Sequence, residues 1–205
     1  MRLGGEPVQR FLLDTNVLGD IINRNPEPTD LLKWLDDKAH LCFVSSISIH
    51  ELEFGVARLA IKKSVEDRLK ATKYAWLNSQ LLSMFSDRIL PVDKWVLVRS
   101  AELRAKAGQC GGDIGLADAI IAATADIRCF YVITRNVGHF RATGATVIDT
   151  DNFTESLQAT LADPRNKSRF SSIRNEFQKQ RHSGQVQHST ATDPAQESIK
   201  RLRSS

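Results

Sequence analysis

With 205 residues, 41% of them hydrophobic and 25% charged, the chain is long enough for one packed domain and an appended segment. Its net charge of +4 is uneven, since residues 163–205 hold nine Lys or Arg against four Asp or Glu while the first 162 hold 19 against 20; a near-neutral body with a basic end suits an anionic partner such as nucleic acid. The start, MRLGGEPVQRF, has no secretory pattern, the longest apolar stretch is bounded by Asp118 and Asp126, and Cys42, Cys110 and Cys129 lack CxxC spacing, which excludes a membrane span, a disulfide framework and a thiolate zinc centre and predicts a soluble cytoplasmic protein.

Hydrophobic periodicity predicts a strand over 11–13 and a helix over 17–24 stopped by Asn25-Pro26. A helix over 30–38 follows the capping candidate Thr29, then a strand over 41–44 and two helices within 48–85. In the second of these, Leu69, Trp76, Leu77, Leu81 and Phe85 form an apolar face. A strand over 89–92 leads, through the capping candidate Asp93, to a helix over 94–107 stopped at Gly108. QCGGDIG, residues 109–115, lacks the lysine of a phosphate loop and reads as a connection, with Asp113 an ordinary loop acid. A buried helix over 115–126, strands over 130–134 and 146–148, and a closing helix within 152–161 complete the pattern. Residues 163–205 are rich in Ser, Gln, Arg and Lys, and are expected to be disordered, with SIKRLR at most a transient helix. Strands alternating with helices predict an α/β fold with a parallel sheet. Trp34, Trp76 and Trp95 sit at helical apolar spacing and read as core or partner-facing side chains.

Four polar side chains fall at or beyond the strand ends. Asp14 closes the first, in FLLDTNVL; Glu51 lies three residues after Ser48, beyond the second; Asp118 is in the first turn of the helix leading to the fourth; Asn136 comes two residues past Thr134. In an open parallel sheet the carboxyl ends of the strands border the ligand crevice, so residues distant in sequence can meet there. Each also has a local reading. Ser48 and Glu51 fit the S-x-x-E capping box, Asp14 and Asn136 fit caps, and Asp118 suits the positive end of a helix. Their joint placement favours a ligand, because two carboxylates about 4 Å apart at an effective dielectric near 20 repel by about 4 kcal/mol, and three make three such pairs. Oxygen donors without thiolates or paired histidines predict Mg²⁺, or Mn²⁺, and with it metal-assisted phosphodiester hydrolysis.

LLDTNVL, SSISIHELEFG, LADAIIAATA and VITRNVGHF together resemble, in order and over residues 9–150, the successive motifs of PIN-domain proteins of the VapC toxin type. The resemblance implies a PIN-like three-layer fold with a central parallel sheet flanked by helices, a nuclease domain over 1–155 and a basic, largely disordered tail over 156–205. It implies a Mg²⁺-dependent endoribonuclease toxin of a type II toxin–antitoxin system. Asp14, Glu51 and Asp118 match the three acidic positions; Asp14 and Asp118 would bind the metal directly or through water, and Glu51 would hold a metal-bound water or act as base. Thr15, Asn16 and Thr134 would orient this shell. At the fourth acidic position the chain departs: Asn136 completes the expected catalytic set as a carbonyl ligand or water holder but brings no negative charge, and so does not support a tight second metal. His139 reads as a surface histidine and His50 as pointing away. The implied partners are an RNA substrate, a cognate antitoxin, a second copy in a homodimer, and operator DNA reached only through the antitoxin. The rival reading is a catalytically impaired PIN-like nucleic-acid-binding module that binds through its tail.

Overall fold

The computed structural model describes residues 8–23, 29–109 and 114–188; Cys110, Asp113 and SIKRLR lie outside the described residues. Among these residues five parallel strands, β1 (Phe11–Leu13), β2 (Cys42–Ser45), β3 (Ile89–Leu90), β4 (Tyr131–Thr134) and β5 (Val147–Asp149), form one sheet in the order β3-β2-β1-β4-β5. Successive side chains on a strand point to opposite faces, and both faces are covered. Phe11, Leu13, Tyr131 and Ile133 pack on one side with α1 (Thr15–Asn23), α2 (Asp30–Lys38), α4 (Val65–Met84) and α8 (Phe153–Ala162), through Leu18, Leu31, Leu81 and Phe153. Leu12 and Val132 pack on the other with α5 (Lys94–Gln109), α6 (Leu116–Arg128) and α7 (Val137–Thr143), through Val96, Leu103, Ile121 and Phe140. The result is the predicted three-layer PIN-like arrangement. No helix among the described residues is long and apolar enough to cross a membrane.

The sheet has a topological switch: from β1 the chain moves to β2 on one side, and later to β4 on the other. Register places Leu13 level with both Val44 and Ile133. The residues that follow, Asp14, Ser45 and Thr134, therefore leave the sheet at one level, which is the crevice where ligands bind in such folds.

Three expectations are corrected. The cap of α3 (Ser46–Ala60) is Ser45, whose Oγ accepts from the Ile47 amide at 3.4 Å, while Ser48 is buried with an unpartnered Oγ; the Ser48–Glu51 capping box does not form, because β2 ends three residues before it. On α4, Leu81 and Phe85 are buried but Leu69 and Trp76 are 66% and 61% exposed. The buried face runs instead through Ala71, Asn78 and Leu81, with the Asn78 amide donating to Glu53 of α3 at 3.1 Å and fixing the rotation of the pair. Trp34 is a core side chain, edge-on to Phe11 and Phe153. The third correction is the tail. Where disorder was expected, Pro164–His188 forms a helix, α9. Phe170 meets Tyr131 edge-on with centroids 5.1 Å apart, Ile173 is buried, and Arg169 reaches Asp126 on α6. These few anchors, with Pro at the first position where its missing N–H costs nothing, hold a helix whose remaining residues are mostly polar.

Candidate active site

Asp14 follows β1 and is 2% exposed. Its carboxylate is clamped by three donors: the Thr15 amide on Oδ1 at 2.6 Å, and the Asn16 amide and Thr134 hydroxyl on Oδ2, each at 2.7 Å. The Thr134 hydroxyl, at the end of β4, in turn accepts the Asn136 backbone N–H at 2.9 Å. Thr15, Asn16 and Thr134 thus orient the acid as expected, and a carboxylate oxygen with one donor keeps an acceptor site open at Oδ1.

Glu51 comes from α3, the helix launched by β2. Its Oε2 accepts the Thr15 hydroxyl at 2.6 Å, which ties α3 to the start of α1 beside Asp14. Asp118 sits in the first turn of α6, and its Oδ2 lies 3.0 Å from Nδ1 of His139 on α7. Burial pushes the Asp14 pKa up to about 6; the Thr134 hydrogen bond pulls the other way, and the carboxylates of Asp118 and then Glu51 raise it further. The three acids therefore share one electrostatic neighbourhood.

The fourth position, Asn136, lies just past β4. Asn136 is exposed and caps α7 without a side-chain hydrogen bond, contributing its backbone N–H to Thr134. His139, expected to be a surface histidine, contacts one of the acids, Asp118. It is exposed, yet with the proton on Nδ1 it donates to Asp118 and leaves Nε2 open as an acceptor. Its partner is 21 residues away and on another helix, so no local pattern pointed to it. His50, as expected, faces outward, its ring stacked on Phe54.

Among the described residues no group of three or more His, Cys, Asp or Glu side chains could hold one metal ion by direct ligation. The donor chemistry nevertheless fits a hard, hydrated cation. Magnesium keeps several waters and takes one or two carboxylates, and three acids with an open oxygen on Asp14 can supply those and bond the rest through water. A closed cage with all of Asp14, Glu51 and Asp118 as direct ligands does not fit.

Comparison with known proteins follows the same outline. The PIN-domain family model matches residues 11–145. Plasmid stability protein StbB of Pseudomonas syringae pv. tomato is 37% identical over 140 residues, 68% of this chain and 96% of that protein. VapC ribonuclease Y4jK of Sinorhizobium fredii is 32% identical over 140 residues, with the same shares covered. The crystal structure of FitAcB from Neisseria gonorrhoeae aligns with a TM-score of 0.57 at 33% identity, covering 69% of this chain and 99% of that one.

Proposed function

This chain belongs to the PIN-domain family, among the VapC- and FitB-type toxins of toxin–antitoxin systems, and we propose that it is a Mg²⁺-dependent endoribonuclease restrained by a cognate antitoxin. The observation that carries this reading is the meeting of Asp14, Glu51 and Asp118 at the switch point of the sheet, close enough that the latter two act on the Asp14 pKa. A hard divalent ion bound there would supply charge for the phosphodiester oxygens and would acidify water. Asp14 and Asp118 would hold it, directly or through water. Glu51, its Oε2 fixed by Thr15, would accept the proton of the attacking water at its other oxygen. Water adds to phosphorus, the P–O bond to the leaving ribose breaks, and the departing oxygen takes a proton from solvent. His139 holds the Asp118 carboxylate in one orientation.

The chain is further proposed to act as a homodimer and to meet operator DNA only through the antitoxin. An antitoxin segment seated in the crevice would set a cationic side chain against the acids in place of the metal. Exposed Asn136 and the absence of a three-ligand grip among the described residues favour the rival, an impaired binding module. Cleavage of single-stranded RNA in Mg²⁺ and in EDTA separates the two. Cleavage only in Mg²⁺, lowered about 100-fold or more by Asp14→Asn and Asp118→Asn, is expected; RNA binding without cleavage in either buffer would favour the module.

A further inference from the structure

Helix α9 lies beyond residues 11–145, the part of the chain that the family model covers. Between it and the amino-terminal ends of β1 and β4 is a cavity of about 380 Å³, walled in part by Arg10, Arg128, Lys167 and Arg174. Among the described residues no acidic side chain lines it. A second cavity, of about 280 Å³, shares Arg128 and Arg174 and adds the rings of Trp95 and Phe177. The two adjoin at Arg128 and Arg174, and together are taken as one groove beside α9.

Two carboxylates near this groove, Asp93 and Asp126, are already committed. Asp93, in the second cavity, accepts the amides of Trp95 and Val96 as the cap of α5, each at 3.0 Å. Asp126, buried behind the groove, has one oxygen on Arg99 and the other on Arg169. Arg128 has a buried Nε without a hydrogen-bond partner among the described residues. Arg10, Arg128 and Arg174 around one cavity repel one another, and an entering anion relieves that repulsion; aromatic rings beside them suit unpaired bases. Duplex RNA is read instead by its shape, over a broader surface.

We propose that this groove binds single-stranded RNA, with phosphates on Arg10, Arg128 and Arg174 and bases against Trp95 and Phe177; the choice of RNA among polyanions rests on the nuclease reading of the carboxylate site. The groove lies at the amino-terminal ends of the strands and the acids at the carboxyl-terminal ends, about 13 Å apart along β1 from Arg10 to Asp14 at the usual rise of a strand.

The test is fluorescence anisotropy of a labelled single-stranded RNA with the full chain in EDTA, over a range of KCl concentrations. A chain that cuts nothing still gives a reading, so failure of the nuclease proposal and failure of this one are distinct. The Arg128→Gln/Arg174→Gln variant is expected to bind about tenfold more weakly at low salt or worse. Its log–log salt slope should be shallower by about 1.4, since each lost phosphate contact removes about 0.7. Unchanged affinity and slope in a folded variant would overturn the proposal, as would equal or tighter binding of duplex RNA with the same number of phosphates. Should the variant not fold, crosslinking of 4-thiouridine RNA to the unaltered chain decides: adducts within 93–95, 128–131 or 170–178 are expected, and adducts only elsewhere overturn it.

Discussion

At the scale of single residues, Asp14 is where function and stability conflict. Its pKa of about 6 in the folded chain stands above the ordinary 3.8, so the fold binds that proton more tightly than the unfolded chain does. The sign follows: its contribution to metal-free stability is complete below about pH 4 and is lost as pH rises through about 6, a span worth about 3 kcal/mol. Urea unfolding in EDTA should therefore show Asp14→Asn gaining on the unaltered chain between pH 4 and 7, and standing above it at pH 7 while cleaving no RNA. An identical pH dependence in both would contradict the assignment. That Asp14, Glu51 and Asp118 come near one another was legible because Asp14 follows a strand, Glu51 lies on the helix launched by the next, Asp118 is in a first helical turn, and the PIN motifs carry them in order. Which of them bind each other's neighbours was not legible. Glu51 could be read as a cap partner of Ser48, whereas its hydrogen bond is to Thr15, 36 residues away.

At the scale of elements, the caps give a clean contrast. Ser45 accepts an amide at the start of α3, so Ser45→Ala should cost about 1 kcal/mol. Ser48 hides an unpartnered hydroxyl, so Ser48→Ala should be neutral or stabilising; the capping-box reading predicts the reverse order, and denaturant unfolding of the two variants decides. Helix α9 offers a second test. Phe170, Ile173 and Phe177 fall at i, i+3 and i+7, a helical apolar face that was present in the sequence. It was outweighed by a composition that is polar overall, and the anchor it needs, Asp126 for Arg169, lies 43 residues earlier. Ile173→Ala removes a buried side chain and should lower stability by about 2–5 kcal/mol; a disordered segment would lose nothing. The strands and the order of helices were readable from alternation because the strands are short and apolar, with β1 and β4 buried on both faces, while helix rotation, as at Trp76, depends on a partner that periodicity does not name.

At the scale of the whole molecule, a sheet ordered β3-β2-β1-β4-β5 separates two ends with different charge. The carboxyl end gathers acids around Asp14, and the amino end, closed by α9, gathers arginines. The first was foreseeable, since a parallel sheet brings strand ends together whatever lies between them. The second was not, because Arg10, Arg128 and Arg174 become neighbours only once α9 packs on α6. The central claim is that the acids share one hydrated divalent ion, and an electron paramagnetic resonance titration with Mn²⁺ measures it most directly. The account predicts saturable binding by the unaltered chain that is lost in both Asp14→Asn and Asp118→Asn; binding that survives in either variant, or no binding to the unaltered chain, would contradict it.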